Sequence, residues 1–439
     1  MRKIVVILCL YIIASCNTQS QEKIVEQKDA LEEKIDSYFK ALTKLRQFNG
    51  AVIVEKNKNL IINQAYTITK DSLSKLYVTT DHQFDLRSIS KLVAKTAIIQ
   101  LEREGKINRN DSITKFLKNF PNGNKITIQH LMDNTSGLPR RLEGNFDFFS
   151  MEVTEIIDLI KNVPLEFEPG SDTRYSNLGF EVLYYIIYKV SGKPFSQYVQ
   201  DNIFDKLGMV NSGAHFYTTK KNLTKFAYYH ILENDSIVEI DHFDKERKRQ
   251  ANLYATTEDL MKLMEYISTE PFASALKNEK NIIGHSGGSK GIRSHVQTNI
   301  SKGYSFAFLC NYDEIPFSQI ISDLESIIEG NPYTIPKELN RNEIYVTPEL
   351  LKQYVGRYDI AEFNHKIIEF RVENDSLIFY QNEKRDVALK AENDSTFFFD
   401  PKSSDSFIFR KHDTVCNVYM KWKGVEFKGT PIAPLEDLP

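Results

Sequence analysis

The chain has 439 residues, more than a typical single domain contains, so two domains are predicted. Hydrophobic residues make up 41% and charged residues 26% of the chain, which is ordinary for a soluble globular protein. The formal net charge is −3, and no basic stripe or RNA-binding signature is present, so nucleic acid is excluded as an expected partner.

The first residues indicate a secretory leader. Arg2 and Lys3 precede an apolar run at residues 4–13, and small residues follow it up to Cys16. The run is shorter than the roughly 20 residues that a membrane-spanning helix needs, so we predict a signal peptide over residues 1–16. The cysteine after Ile-Ala-Ser resembles the lipobox of bacterial lipoproteins. That resemblance implies lipidation of Cys16 and anchorage in the outer membrane or periplasm of a Gram-negative bacterium; an ordinary signal peptide with an incidental cysteine is the alternative.

The next segment, residues 17–35, is predicted to be a polar tether, and residues 36–331 are predicted to form the first domain. Strands come first in this domain, helices occupy its middle, and strands and a helix finish it. The strands are predicted at residues 48–54, 60–65, 281–283, 292–298 and 304–310, and the helices behind Ser88 to about Gly105 and at residues 180–190, 255–267 and 318–329. This order predicts an α+β fold, in which one antiparallel sheet is assembled from both ends of the domain and flanked by helices, with a mostly helical insert.

The C-terminal part changes character after a linker predicted at residues 332–346. Short β-branched and aromatic runs alternate with turns, so residues 347–439 are predicted to form an all-β, barrel-like domain. Its strands are predicted at residues 367–372, 377–380, 396–399, 407–410 and 415–422. Outside the leader only Cys310 and Cys416 remain. They fall in different predicted domains, so no structural disulfide is expected.

Ser88 and Lys91 form the first candidate catalytic motif, S-x-x-K, the nucleophile motif of β-lactamases and penicillin-binding proteins. Serine and lysine three residues apart share one face of a helix, and a desolvated lysine amine can accept the serine proton. At a helix start the Ser88 N–H is also free to serve in an oxyanion hole. The other S-x-x-K copies lack a strand before them and a long apolar helix behind them; they lie at residues 20–23, 37–40, 72–75, 112–115 and 274–277.

The second candidate motif is Tyr175-Ser176-Asn177, which follows a turn-rich loop and precedes an apolar helix. A phenol in this position can relay a proton between the serine and a leaving group. We expect the Asn177 amide to donate to a substrate carbonyl and to accept from Lys91. A second Y-x-N, at residues 380–382, lies in the predicted β domain and lacks this setting.

The third candidate motif is His285-Ser286-Gly287-Gly288, placed after the strand at residues 281–283. Small residues let a substrate backbone lie close to a sheet edge, so Gly287 and Gly288 are expected to bind substrate, with the Gly288 N–H completing the oxyanion hole. His285 is expected to orient Tyr175 or to polarise the substrate.

The same residues with Gly284 also satisfy G-x-S-x-G, the nucleophile elbow of α/β-hydrolases, which passes from a strand into a helix. Here a β-forming stretch follows at residues 292–298. That arrangement favours a hairpin, and the elbow with Ser286 as nucleophile is the weaker alternative.

The chain offers little that would hold a cofactor. Its nine histidines are scattered, none is paired at helical spacing beside a glutamate, and no glycine-rich phosphate loop is present. We predict no metal and no cofactor.

These motifs together resemble the beta-lactamase-related serine hydrolases, the family that includes class C β-lactamases, D-alanyl-D-alanine carboxypeptidases and bacterial esterases. The resemblance covers about residues 48–329 and also includes the segment Leu131–Pro139 and the pair Pro169-Gly170. It implies that Ser88 is acylated, that Lys91 and Tyr175 share acid–base work, and that the Ser88 and Gly288 amides hold the oxyanion. The C-terminal domain looks like the lipocalin-like β domain often appended to this family, since residues 354–358 match its usual opening.

Three residues or pairs depart from the family pattern. His285 replaces the lysine that helps β-lactamases bind the substrate carboxylate, Arg87 replaces a small residue before the nucleophile, and Asp133-Asn134 replaces Thr-His. The sequence therefore predicts a lipid-anchored periplasmic serine hydrolase for an ester or amide, with D-amino-acid peptides or small acyl esters as substrates. A catalytically inert tethered protein that binds through its β domain is the rival prediction, and the oligomeric state is left open.

Overall fold

Two compact units make up the chain, Met1–Asp313 and Glu314–Pro439. The computed structural model describes residues 28–142, 144, 151–214, 223, 225–240, 253–363, 365–381, 383–412, 415–422 and 425–432. The predicted leader, Cys16 and residues 17–27 of the predicted tether lie outside these residues. Among the described residues, no helix combines the length and the apolar composition that crossing a membrane requires.

The first helix, α1, covers residues 28–44, so the predicted tether is wrong over residues 28–35. Ile35, Phe39 and Leu42 are fully buried, and their spacing gives the helix one apolar face. The ring of Phe39 lies 4.7 Å from that of Phe48 and 5.3 Å from that of Tyr66. Only three of residues 28–35 are apolar, so this segment by itself shows no helical period.

Strands from both ends of the first unit form one antiparallel sheet, which confirms the predicted fold class. The five strands are β1 (Gly50–Lys56), β2 (Asn59–Tyr66), β8 (Ile282–Ser289), β9 (Ile292–Asn299) and β10 (Tyr304–Cys310). Their order in the sheet is β2-β1-β10-β9-β8, and β1 pairs with β10 in a register that places Gly50 opposite Cys310. Smaller sheets join β3 (Phe84–Asp85), β7 (Leu253–Ala255) and β4 (Gly213–Ala214), and β5 (Tyr229–Glu233) with β6 (Ser236–Ile240).

Apart from α1, the helices described in the first unit lie in the middle of its sequence, as predicted. They are α2 (Ser90–Arg103), α3 (Ile128–Met132), α4 (Val153–Ile160), α5 (Asn177–Ser191), α6 (Phe195–Val199), α7 (Thr257–Ile267) and α8 (Phe272–Leu276). One buried apolar cluster joins α2, α5 and α7 to the sheet strands, with Ala97, Ile186, Leu263, Ile283 and Val296 among its members. This core fixes the position of α2, and with it the candidate nucleophile.

The second unit contains α9 (Phe317–Glu329), α10 (Pro348–Leu351) and a nine-stranded antiparallel sheet. The strands are β11 (Gly356–Ile360), β12 (Lys366–Glu373), β13 (Ser376–Gln381), β14 (Lys384–Ala388), β15 (Lys390–Asn393), β16 (Thr396–Phe398), β17 (Ser406–His412), β18 (Val415–Trp422) and β19 (Val425–Pro431). Their order in the sheet is β14-β13-β12-β11-β19-β18-β17-β16-β15, so two strands adjacent in sequence, β14 and β15, form its two ends and the sheet is barrel-like. Aromatic side chains dominate its core, as at Phe370, Phe407 and Phe409.

The division between the units differs from the predicted boundary at residue 331. The helix α9 was expected to close the first domain, but it is grouped with the second unit. Cys310 and Cys416 are both free thiols.

Candidate active site

Ser88 lies in a single 3₁₀ turn, Arg87–Ile89, between β3 and α2. The next residues continue directly into α2, whose apolar positions Leu92, Ala97 and Ile98 are buried in the core. The helix start therefore cannot shift without disturbing that packing. Lys91, in the first turn of α2, is only 5% exposed.

Three of the predicted catalytic side chains meet at one oxygen atom. Lys91 Nζ donates to Ser88 Oγ over 3.1 Å, and the Tyr175 hydroxyl donates to the same oxygen over 2.8 Å. Both distances are within hydrogen-bond reach for proton transfer. Either group becomes a proton acceptor for the Ser88 hydroxyl once it has itself lost a proton, so the geometry is compatible with both Lys91 and Tyr175 as base.

Aromatic rings surround the lysine amine. Lys91 Nζ lies 5.1 Å from the ring centre of Tyr175 and 5.5 Å from that of Phe180. These faces attract the ammonium form, whereas burial disfavours it. The amine is thus kept away from bulk water, the setting in which lysine can act in proton transfer.

The loop that carries Tyr175 is held on both sides by Asn134. The backbone oxygen of Asn134 accepts from the Arg174 N–H over 2.8 Å, and its side-chain oxygen accepts from the Ser176 N–H over 3.0 Å. Asn134 has φ +59°, a left-handed conformation that asparagine adopts more readily than most residues. The Asp133-Asn134 departure noted in the sequence therefore places a residue suited to this turn beside the tyrosine.

Ser176 caps the helix that follows. Its hydroxyl oxygen accepts from the Gly179 N–H over 2.9 Å and donates to the carbonyl of Pro139 over 2.9 Å. The cap satisfies a helix-end donor, and it ties the start of α5 to the segment 134–139. Tyr175 is fixed by these contacts on either side of it.

Asn177 is the first residue of α5, and its backbone N–H donates to the carbonyl of Arg140 over 3.2 Å. The hydrogen bond from Lys91 to the Asn177 amide stays a prediction. The Arg140 guanidinium lies 5.4 Å from the ring centre of Tyr175. Nothing in the segment after Pro139 marks this cation as part of the site, so the sequence did not predict it.

His285 lies on β8 with its ring centre 6.4 Å from that of Tyr175. Its Nδ1 is 2.7 Å from the carbonyl oxygen of Ser286; a carbonyl can only accept, so Nδ1 carries the hydrogen. Desolvation lowers the pKa of His285 to about 3, and the nearby Lys91 and Lys95 add to the effect. The imidazole is therefore neutral near pH 7 and presents Nε2 as an acceptor, unlike a lysine at this position.

The candidate oxyanion strand β8 forms the edge of its sheet. A Cβ at Gly287 would lie 2.3 Å from the backbone oxygen of Leu86, so only glycine allows β8 this close to the nucleophile turn. Gly288 lies opposite Arg293 in the ladder and is exposed. An edge strand leaves backbone N–H groups unpaired, and the Gly288 N–H remains our candidate for the second oxyanion donor.

The third motif lies within β8, whereas the strand was predicted to end at residue 283. Glycine and serine are weak strand formers, but the ladder to β9 extends to the pair Ser289 and Ile292. The predicted hairpin is confirmed, so the strand-to-helix elbow is wrong. Ser286 Oγ nevertheless lies 2.8 Å from His295 Nδ1, and His295 Nε2 lies 2.9 Å from Gln297 Oε1. The proximity of these three side chains was not predicted from the sequence.

No group of three or more His, Cys, Asp or Glu side chains is arranged to hold a metal ion in the part of the chain that the structure describes.

Comparisons with known proteins identify the family of this fold and site. The profile of the Beta-lactamase family matches residues 35–282, more than half of the chain. The chain therefore belongs to this family, the beta-lactamase-related serine hydrolases. The matched range ends before His285, so the third motif lies beyond it.

Individual relatives are more distant. A penicillin-binding protein of Bacillus subtilis (strain 168) is 24% identical over 372 residues, which are 74% of this chain and 82% of that protein. The octameric penicillin-binding protein homologue from Pyrococcus abyssi has a TM-score of 0.58 at 19% identity, covering 91% of this chain and 99% of that one. A D-stereospecific amidohydrolase from Streptomyces sp. has a TM-score of 0.50 at 17% identity over 63% and 94% of the two chains. At these identities the structural matches show the shared fold.

Proposed function

We propose that the protein is a serine hydrolase that forms an acyl-enzyme on Ser88 and hydrolyses an ester or amide. One observation carries this proposal: Ser88 Oγ accepts hydrogen bonds from both Lys91 Nζ (3.1 Å) and the Tyr175 hydroxyl (2.8 Å). A serine at a helix start beside two proton-carrying groups has what acyl transfer requires, namely a nucleophile and a route for its proton.

In the proposed reaction, Ser88 Oγ attacks the substrate carbonyl carbon while its proton passes to Lys91 or Tyr175. The N–H groups of Ser88 and Gly288 stabilise the negative charge on the carbonyl oxygen. Tyr175 returns a proton to the leaving alcohol or amine as the acyl bond breaks. Water then attacks the acyl carbon and gives its proton to Lys91 or Tyr175. That proton passes to Ser88 Oγ as the bond between the acyl carbon and Ser88 Oγ breaks, which releases the acid and restores the Ser88 hydroxyl.

Two substrate classes fit this site, and His285 distinguishes them. A D-amino-acid peptide with a free carboxylate would meet a neutral imidazole instead of an ammonium group. A small acyl ester, or an amide without that carboxylate, does not need a positive charge at position 285. The similar structures include a D-stereospecific amidohydrolase, and D-amino-acid peptides remain our primary proposal, with small acyl esters as the second.

Anchorage by a lipid on Cys16 is also proposed, in the periplasm or outer membrane of a Gram-negative bacterium. The support is the basic, apolar and small-residue order of residues 1–16. Incorporation of radiolabelled palmitate into the wild type, but not into Cys16→Ala, is the expected result. Equal labelling of both proteins would contradict the anchor.

The decisive experiment treats the full chain and its Ser88→Ala variant with a fluorophosphonate and, separately, with a penicillin, and then measures intact mass. We expect a phosphonate adduct on the wild type alone. A phosphonate adduct that survives Ser88→Ala, but not Ser88→Ala combined with Ser286→Ala, would point to Ser286 and its contact with His295. If neither reagent forms an adduct, the acyl-enzyme is contradicted. The rival prediction, a catalytically inert protein that binds through its β domain, is then favoured.

A further inference from the structure

The residue before the candidate nucleophile has an unusual backbone conformation. Arg87 has φ +48°, in the left-handed region that residues with a Cβ adopt at a cost. Glycine meets no such penalty. An arginine can therefore stay in this conformation only if its surroundings impose it.

Asp85 holds Arg87 at both its backbone and its side chain. One Asp85 carboxylate oxygen accepts from the Arg87 N–H over 2.9 Å. The other lies 2.8 Å from Arg87 Nε and accepts from the Tyr229 hydroxyl over 2.7 Å. The Asp85 side chain is 1% exposed and that of Arg87 is 14% exposed, so the carboxylate is buried and depends on these partners.

Tyr229 closes the other side of this cluster. Its ring is fully buried on β5, and the Arg87 guanidinium lies 5.5 Å from its ring centre. The arginine thus packs between a carboxylate and an aromatic face. A lysine would lose the planar contact, and a shorter side chain would lose both contacts.

The turn fixed in this way also determines where β8 lies. The Leu86 N–H donates to the carbonyl of Leu253 over 2.9 Å, and the Leu86 carbonyl accepts from Ser294 Oγ over 3.3 Å. Gly287 approaches the same carbonyl. The backbone angles at Arg87 set the direction of the Ser88 N–H, so the position of that donor relative to β8 follows from the Arg87 conformation.

We propose that Arg87 is a positioning residue which, together with Asp85 and Tyr229, holds the nucleophile turn in its left-handed conformation and so aims Ser88 at the substrate. The cluster replaces the conformational freedom that a glycine would give at this position. None of its members touches the reacting atoms. The proposal depends on the proposed function for its kinetic consequences, but its conformational part can be tested separately.

The test compares Arg87→Gly, Arg87→Ala, Asp85→Asn and the double variant Arg87→Gly with Asp85→Asn, all in the full chain. We expect Arg87→Ala and Asp85→Asn to lower kcat on a short-chain nitrophenyl ester, and the rate of fluorophosphonate labelling, by roughly 10–100-fold with KM nearly unchanged. Arg87→Gly should restore both rates to within about threefold of the wild type, because glycine adopts the conformation unaided. Asp85→Asn should lower kcat and the labelling rate by a much smaller factor when residue 87 is already glycine.

Arg46 supplies a matched control, since it is an exposed arginine with φ +59° in another turn. Arg46→Ala should lower the urea midpoint slightly and leave the labelling rate unchanged. A labelling rate for Arg87→Gly as low as that for Arg87→Ala would overturn the proposal, as would equal effects of Asp85→Asn in both backgrounds.

Urea unfolding separates this proposal from the proposed function. If Asp85 and Tyr229 hold Arg87 in its left-handed conformation, Arg87→Gly unfolds at a higher urea concentration than Arg87→Ala. The shifts in urea midpoint caused by Asp85→Asn and Arg87→Gly are then not additive. A wild type that is never labelled would refute the proposed function alone. The opposite order of unfolding midpoints, or fully additive shifts, would refute the positioning role of Arg87 even in an active enzyme.

Discussion

The α-carbon of Gly287 lies so close to Leu86 that an added Cβ would come within 2.3 Å of the Leu86 carbonyl oxygen. The contact joins β8, which carries the third motif, to the turn that carries Ser88. A site assembled from two distant segments depends on this kind of close backbone approach.

Gly287→Ala should push β8 away from the nucleophile turn, because the obstructing atom is backbone and cannot rotate aside. Overpacking of this kind costs about 1–3 kcal/mol, and we expect fluorophosphonate labelling of Ser88 to slow by roughly tenfold or more as the oxyanion donors separate. The control is Gly179→Ala, whose added carbon would find its nearest neighbour at 3.5 Å. Normal labelling of Gly287→Ala would show that β8 is not needed in this position.

Tyr175→Phe removes the hydroxyl that donates to Ser88 Oγ while keeping the ring beside Lys91. Proton transfer by a positioned side chain contributes about 10²–10⁴-fold, so we expect kcat on a nitrophenyl ester to fall within that range. When Lys91→Met is added to Tyr175→Phe, the further fall in kcat should be much smaller than the fall that Lys91→Met causes alone. The reason is that the effects of residues that act as a unit are not additive.

The control is Tyr188→Phe, since Tyr188 is an exposed tyrosine on α5. This substitution should leave kcat unchanged. If Tyr175→Phe does the same, Tyr175 has no part in proton transfer.

His285→Lys should increase the rate of acylation by penicillin relative to a neutral ester. At neutral pH the native imidazole is uncharged, whereas an ammonium group on β8 would attract the carboxylate of the penicillin. We expect the ratio of the two acylation rates to rise about tenfold, measured by intact mass over time. His285→Gln is the matched neutral control, and an equal ratio in both variants would show that charge at this position does not select the substrate.

Acid should destabilise the first unit through its buried histidines. Burial lowers the pKa of His285 to about 3 and that of His295 to about 4, from a usual value of 6.5. At a pH between its folded and unfolded pKa values, each histidine is protonated in the unfolded chain and neutral in the folded protein. The free energy of unfolding therefore falls on acidification from about pH 6.5 toward 4. Each histidine contributes at most about 1.4 kcal/mol per pH unit in this window.

Urea unfolding at pH 7 and pH 5 measures this dependence. His295→Gln should reduce the loss of stability between the two pH values, since it removes one of the titrating groups. An unchanged pH dependence in His295→Gln would mean that His295 does not titrate in the unfolding reaction.

Local patterns in the sequence were sufficient for several features of the site. The apolar spacing behind Ser88 predicted α2, and a strand lead-in distinguished Ser88 from the other S-x-x-K serines. The turn-rich loop before Tyr175 predicted the start of α5. Each of these features depends on a few adjacent residues, whose period and capping chemistry are visible without tertiary structure.

Features that depend on distant contacts were missed. The end of β8 was placed too early because the ladder to β9, not the propensity of Gly287 and Gly288, holds that strand. The predicted end of the tether at residue 35 was wrong because the burial of Ile35 and Phe39 depends on residues such as Phe48, which precedes the first strand.

The sequence by itself determined the fold class, the family resemblance and the identity of Ser88, Lys91 and Tyr175 as candidate catalytic residues. Only the tertiary structure brought Lys91 and Tyr175 to the same serine oxygen and gave Arg87 its left-handed conformation under the hold of Asp85 and Tyr229. The physical reason is that residue type and spacing encode local conformation. Distances between side chains 87 positions apart, and the burial that sets the charge of His285, exist only once the core has packed.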